Sequence, residues 1–207
     1  MVKNSQITAF INYGYIPFKK SQCIRRIFII LMLSAGLCLI GTKSLLWSVS
    51  VGIADSLVVA MFIVLMAKYS SSPISRYLCD GIFSLYIAII LNLGSYRIIA
   101  LQIGSNLLIL IMLMSLLIVC ILAFIAVNFS WIKADKFTNT ASSKTNAWIP
   151  AVSGVVGMML SRGLLQGKSP ETVLTVISCG LLIMSFIMSL VSINLLKAWF
   201  YVRLANE

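Results

Sequence analysis

The chain has 207 residues, of which 60% are hydrophobic and 10% are charged, with a formal net charge of +11 and a mean hydropathy of +1.04. Soluble domains average about 25% charged residues, so this composition excludes an ordinary soluble fold and predicts an all-α, polytopic integral membrane protein. A chain of this length accommodates about six membrane-spanning helices with short connections, and it leaves no room for a sizeable soluble domain.

The basic residues lie between apolar runs, where they orient helices and contact anionic lipid headgroups. The lipid bilayer is therefore the expected partner. Nucleic acid is not expected to bind, although a charge of this size would suggest it in a soluble chain. The short connections favour a multi-pass protein of a bacterial cytoplasmic membrane.

Few side chains of this protein are suited to catalysis. The sequence contains no histidine, which removes the commonest general base and the commonest metal ligand. The cysteines are widely spaced without a C-x-x-C pair, so we interpret them as small apolar residues within helices. No nucleotide-binding loop or paired nucleophile and base is present, and we expect no enzyme, cofactor or metal. The five cysteines are Cys23, Cys38, Cys79, Cys120 and Cys179.

Residues 1–26 form a basic, aromatic-rich segment ahead of the first long apolar run. Gly14 and Pro17 interrupt this segment, so we expect it to lie at the cytoplasmic membrane surface rather than to cross the membrane. Its length also argues against a cleaved signal peptide. The basic residues of the segment are Lys3, Lys19, Lys20, Arg25 and Arg26.

Six apolar segments follow and together form the predicted transmembrane domain, residues 27–196. The third is predicted to begin near Gly81 and to end at Gly104, although the turn residues around Gly94 offer an alternative end. Arg97 is then expected to reach the membrane surface by snorkelling. The predicted spans are residues 27–46, 47–67, 81–103, 107–127, 148–165 and 172–196, followed by a cytoplasmic tail at residues 197–207.

Lysine and arginine are distributed unevenly over the connections between these spans. With six spans, 12 of the 16 basic residues lie on one side of the membrane and 4 lie on the other. The positive-inside rule then places both termini in the cytoplasm, which requires an even number of spans. The four residues on the outer side are Lys43, Arg97, Arg162 and Lys168.

Asp55 is the acidic residue placed deepest in a predicted span. A carboxylate at this depth costs about 2.5 to 3.5 kcal/mol, so we expect its span to lie inside the bundle. The span at residues 148–165 has few large aliphatic residues and carries Arg162 in the same half of the membrane. We hypothesise that Asp55 and Arg162 face each other, as an ion pair or as two ends of a polar cavity. The alternative is that Arg162 snorkels outward and Asp55 bonds a neighbouring serine or Lys43.

Small residues recur at every fourth position on the two spans that carry Asp55 and Arg162. Such faces let helix backbones approach closely, and we interpret them as helix-packing faces. A row of serines in the last span is either a further packing stripe or the wall of a polar path. The small-residue faces are Ser48, Gly52, Ser56 and Ala60 and, on the other span, Ser153, Gly157 and Ser161; the serine row is Ser178, Ser185, Ser189 and Ser192.

These features predict a small permease or the membrane subunit of a transporter. Energy coupling would come from an ion gradient or from a partner such as a transporter ATPase, because the chain has no ATP-binding motif. The alternative is an immunity- or assembly-type protein that binds another membrane protein and transports nothing itself. Two halves of three spans would have the opposite orientations typical of transporter repeats, but they share too little sequence to establish a repeat.

Overall fold

The computed structural model describes residues 3–13, 19–39, 45–68, 72–137 and 169–205, and the regular secondary structure within these ranges is all helical. Five helices in this part of the chain are long and apolar enough to cross a membrane, the last of them formed by α6 and α7 together. The helices are α1 Asn4–Asn12, α2 Lys20–Leu39, α3 Leu45–Lys68, α4 Pro73–Ile103, α5 Leu107–Lys133, α6 Pro170–Val191 and α7 Ile193–Ala205.

The first two long helices differ from the predicted spans at their ends. α2 begins at Lys20 rather than at residue 27, and Leu45 and Leu46 belong to α3. Hydropathy locates the part of a helix that is apolar enough for lipid, whereas the helix itself extends as far as its residues have sufficient helix propensity. The stretch from Lys20 to Arg26 contains neither glycine nor proline, so it extends α2 beyond the apolar run.

α4 begins at Pro73, earlier than the predicted start at Gly81. Proline is favoured in the first turn of a helix, where its missing N–H has no helical partner, and Ser72 before it is extended. The helix ends at Ile103, as predicted, and Gly104 follows with a positive φ of 85°. Its 31 residues rise about 46 Å, more than the hydrocarbon thickness of about 30 Å.

The later helices carry side-chain caps at their starts. The Asn106 side chain accepts a hydrogen bond from the Leu108 N–H at 2.9 Å, and α5 starts where it was predicted to start. α5 continues past residue 127 to Lys133, and within it the Asn128 amide donates to the Phe124 carbonyl at 2.9 Å. Ser169 accepts from the Thr172 N–H and caps α6.

α6 runs antiparallel to α4 over most of its length. The hydroxyl oxygens of Ser178 and Ser95 are 2.8 Å apart and share a hydrogen bond. Further along α6, the Ser185 hydroxyl donates to the Ala88 carbonyl at 2.7 Å. Beyond them α7 approaches Gly81 so closely that a Cβ added there would lie 2.6 Å from Leu195 Cγ. The α4–α6 pair is thus a close-packed core of the bundle.

α5 runs in the same direction as α6. The Asn92 amide of α4 donates to the Leu113 carbonyl, and Cys120 lies near Ser189 on α6. α6 starts beside the end of α4, where the Gln102 amide donates to the Glu171 carbonyl at 3.0 Å. The end of α5 and the start of α6 therefore lie at opposite ends of the bundle.

One end of the bundle, here called the basic end, holds α1, α7 and the starts of α2 and α4. Its apolar cluster includes Phe10, Tyr77, Ile132 and Phe200. Lys197 is buried there, and its ammonium donates to the Tyr13 carbonyl at 2.6 Å and lies over aromatic rings. Eleven of the twelve lysines and arginines in the described ranges lie at this end, and the exception is Arg97.

Candidate functional site

Asp55 lies on the face of α3 that packs into the bundle. It is 9% exposed and shares this face with Val58, Phe62 and Leu65, the other buried residues of α3. Because residues three or four apart share one side of a helix, these four residues form a continuous inward stripe. The carboxylate is therefore buried against the neighbouring helices, although most of the other α3 side chains are exposed among the described residues.

Two hydroxyl groups donate to the same oxygen of this carboxylate. Ser34 on α2 donates to Asp55 Oδ1 at 2.8 Å, and the Tyr86 hydroxyl on α4 donates to it at 2.6 Å. Hydrogen bonds to an ionised acceptor are shorter and about twice as strong as neutral ones, so they offset part of the desolvation of the carboxylate. The Asp55 carboxylate thus links α3 to α2 and α4 through hydrogen bonds.

A cavity of about 140 Å³ adjoins this junction between α2, α3 and α4. Ala54 and Tyr86, which lie beside Asp55 in sequence or in space, line the cavity together with Leu37 and Trp47. Trp47 Nε1 is buried without a hydrogen-bond acceptor among the described residues. The volume is close to that of an engineered apolar cavity of about 150 Å³ that binds benzene.

A second cavity, of about 160 Å³, lies on the other side of Leu37. It is formed by α2, α4 and α6, and Gly36, Gly94 and Leu181 are among the residues that line it. Both cavities are lined mainly by apolar side chains. The polar side chains at the first cavity are Trp47, Ser50 and Tyr86, and Tyr86 connects this cavity to Asp55.

Arg97 is buried near these cavities, whereas snorkelling to the membrane surface, as predicted, would leave its guanidinium exposed. Its side chain donates to the Leu37 carbonyl at 3.3 Å, and its guanidinium lies over the Trp47 ring at 5.3 Å from the ring centre. A helix backbone carbonyl and an aromatic face together replace the water that snorkelling would supply.

The predicted pairing of Asp55 with Arg162 stays a prediction, because Arg162 lies outside the described residues. The alternative interpretation was that Asp55 bonds a neighbouring serine or Lys43. The structure shows one such bond, from the Ser34 hydroxyl to the Asp55 carboxylate. Other predicted residues outside the described ranges are Lys43, Ser153, Gly157 and Ser161.

The small-residue face of α3 is exposed in the described structure, whereas a packing role was predicted for it. A Cβ added at Gly52 would meet no other atom within 4 Å. The hydrogen bonds of Asp55 explain this orientation, since they fix the rotation of α3 and direct the stripe of small residues away from α2 and α4. The exposed residues are Ser48, Gly52, Ser56 and Ala60.

The serine row of the last predicted span is buried and acts as a packing stripe. Ser178 and Ser185 bond α4, whereas the Ser189 and Ser192 hydroxyls donate to carbonyls of their own helix at 2.7 and 2.6 Å. Sequence reasoning missed Ser34 and Tyr86 as partners of Asp55. In the sequence, these two residues are distinguished only as hydroxyl groups within apolar runs. The serine row has the same feature, so this feature does not identify the partners of Asp55.

The described residues contain no group of three or more cysteine and acidic side chains that could hold a metal ion. A comparison with protein-family models finds no match, and comparisons with curated proteins and with solved structures find none either.

Proposed function

We propose that this protein is a small permease or the membrane subunit of a transporter, with its solute path along the junction of α2, α3 and α4. The observation that supports this proposal is the buried Asp55 carboxylate, held by Ser34 and Tyr86 beside a cavity. An ionisable side chain within apolar helices is costly and commonly marks a substrate or ion pathway.

Asp55 would act by exchanging hydrogen-bond partners. A solute with a hydrogen-bond donor or a positive charge would replace the Ser34 and Tyr86 hydroxyls at the carboxylate, and it would leave as they return. This exchange needs no covalent step, so the proposal includes neither an enzymatic reaction nor a cofactor. An ion gradient or a partner ATPase would supply the energy.

The topology of this proposal is six crossings with both termini in the cytoplasm. It is supported by α5 ending and α6 starting at opposite ends of the bundle, a separation that one further crossing between them would explain. The apolar residues 148–165 supply a suitable sixth span. The excess of basic residues at one end favours placing that end in the cytoplasm.

Reporter fusions to each terminus test this topology. A cytoplasmic reporter such as a fluorescent protein is expected to be active at either terminus, and a reporter that requires export is expected to be inactive at both. Opposite results at the two termini would exclude an even number of crossings.

Reconstituted protein tests the solute path. Solutes that raise the unfolding temperature of detergent-purified protein would be tested for uptake into liposomes, with Asp55→Asn as the test variant. Asparagine keeps an acceptor for Ser34 and Tyr86 but removes the charge, so the fold is expected to persist while uptake falls at least about tenfold, as a lost charged contact of 1.4 kcal/mol or more implies. Glu171→Gln, at the exposed start of α6, is the matched control. Full uptake by Asp55→Asn would overturn the proposal.

The alternative, binding to another membrane protein without transport, is favoured by the exposed small-residue face of α3. A helix of a partner could approach this face closely. Gly52→Leu would then release a membrane protein that co-purifies with this chain in mild detergent, whereas Ile53→Leu on an adjacent exposed position would retain it. Retention by both variants would exclude this face as the binding surface.

A further inference from the structure

Two cysteines from different helices meet near the basic end of the bundle. Cys23 lies in the first turn of α2 and Cys79 in the second turn of α4, and both are fully buried. Their sulfur atoms are 2.8 Å apart, although the residues are separated by 56 positions in the chain. A disulfide has an S–S distance of about 2.05 Å, so bonding requires the sulfurs to approach by only about 0.8 Å.

A charged network surrounds this thiol pair. Arg26 donates to Cys79 Sγ at 3.0 Å and forms an ion pair with Asp80. Arg76 forms a second ion pair with Asp80 at 2.6 Å and donates to Gln22. Two guanidinium groups therefore face a single carboxylate, and a negative charge on Cys79 would balance the network.

The charged network borders the thiol pair with partly exposed side chains. The side chains of Arg26, Arg76 and Asp80 are between 11% and 16% exposed, although both cysteines are fully covered. Oxidation of the pair requires a small polar oxidant to reach the sulfurs past these partly exposed charged side chains. Buried cysteines in apolar surroundings are inert, whereas reactive cysteines lie in electropositive and partly exposed surroundings. Cys79 has the arginine beside it, and the exposed groups are its charged neighbours rather than the sulfur itself.

We propose that Cys23 and Cys79 are a redox modification site that forms a reversible disulfide between α2 and α4 in response to a peroxide. This inference goes beyond the proposed function and does not rest on it. Its consequence for the fold is direct, because the bond would tie together the two helices that carry Ser34 and Tyr86, the donors to Asp55.

The reaction has two steps. The Cys79 thiolate, formed when the thiol loses its proton, attacks one peroxide oxygen; an S–O bond forms, the O–O bond breaks, and the departing hydroxide takes up a proton to become water. The Cys23 sulfur then attacks the resulting sulfenic acid; the S–S bond forms, the S–O bond breaks, and the hydroxyl leaves with the Cys23 proton as a second water. The two thiols lose two electrons, which reduce one hydrogen peroxide to two waters. A dithiol reverses the modification by exchange.

A variant with Cys38, Cys120 and Cys179 replaced by serine tests this proposal. The purified protein is treated with hydrogen peroxide, denatured in SDS, alkylated with a maleimide and measured by intact-mass spectrometry. We expect no alkylated thiol after oxidation and two after treatment with dithiothreitol. Peptide mapping of the oxidised protein with its original sequence makes the same test without substitutions. We expect it to show Cys23 linked to Cys79. Two alkylated thiols after oxidation, or oxygen added to sulfur without a crosslink, would overturn the proposal.

The arginine supplies a second test. Arg26→Gln removes the charge beside Cys79, and we expect disulfide formation at pH 7 to slow about tenfold as the thiolate fraction falls toward the few per cent typical of a free cysteine. Arg25→Gln is the matched control, because Arg25 is the adjacent residue and is exposed. Equal rates in the two variants would show that Arg26 does not activate the thiol pair.

Discussion

Opposite faces of α4 use polar side chains in different ways. Toward α2 and α3, Tyr86 donates to a buried carboxylate, and a cavity lies beside it. Toward α6 and α7, Ser95 bonds another serine, and Gly81 lies against Leu195 at close range. The first face holds a charge within apolar helices, whereas the second brings two helices together.

Two buried serines illustrate the difference between these faces. Ser34 and Ser185 are both buried hydroxyls in apolar helices, but Ser34 donates to a carboxylate and Ser185 to a backbone carbonyl. For these two buried serines, the hydroxyl bonded to a carbonyl marks close helix packing and the one bonded to a carboxylate marks a polar site. Three substitutions in the helices that meet at these two faces test this distinction.

Tyr86→Phe is expected to have the largest effect. It removes one donor from the Asp55 carboxylate and should lower the free energy of unfolding by about 1.5 to 3 kcal/mol, the range for hydrogen bonds to charged groups. Unfolding of the detergent-purified protein by SDS measures this change. Tyr96→Phe on the same helix is the control, because no hydrogen bond from Tyr96 to another described residue is seen. Equal losses in both variants would remove the special role of the Asp55 face.

Gly81→Ala tests the close packing on the opposite face. The added Cβ would lie 2.6 Å from Leu195 Cγ and 2.9 Å from the Leu195 backbone nitrogen, so a helix must shift. Overpacking of this kind is expected to cost about 1 to 3 kcal/mol. Gly180→Ala in α6 meets no atom within 4 Å and should be neutral or slightly stabilising. If thermal unfolding shows no difference between the two variants, α7 does not pack tightly on α4.

Ser185→Ala is expected to have the smallest effect. Its hydroxyl donates to a carbonyl that already takes part in the hydrogen bonding of α4, so no buried group loses its only partner. Hydrogen bonds of this type in membrane proteins average about 0.6 kcal/mol. The same unfolding measurement applies. A loss as large as that of Tyr86→Phe would show that the two faces of α4 are energetically alike.

The helices could be predicted from the sequence to different extents. The start of α5 was located correctly because Asn106 is a strong cap directly before an apolar run. The starts of α2 and α4 were placed too late because both helices continue into charged residues. Those residues are stabilised by each other, as in the Arg26–Asp80 ion pair, and such a pairing between distant positions has no local pattern.

The candidate site was only partly predictable. A lone acidic residue in an apolar span marks Asp55 from the sequence, since a carboxylate in lipid must find partners. Its donors on α2 and α4 could not be named, because their identity depends on how three helices are rotated about their axes. The same dependence governs which face of α3 packs: its small-residue face is exposed among the described residues, and its packing against residues 148–165 stays a prediction.

The amino-acid sequence alone indicates that this chain is built from long apolar helices, that its lysines and arginines are unevenly distributed and that one carboxylate lies within an apolar run. These properties follow from the transfer of single residues between water and lipid, which depends little on neighbouring helices. Only the tertiary structure decided that Asp55 bonds Ser34 and Tyr86, that Arg97 is buried and that Cys23 meets Cys79. These contacts join residues on separate helices, and helix packing alone selects which side chains come within bonding distance.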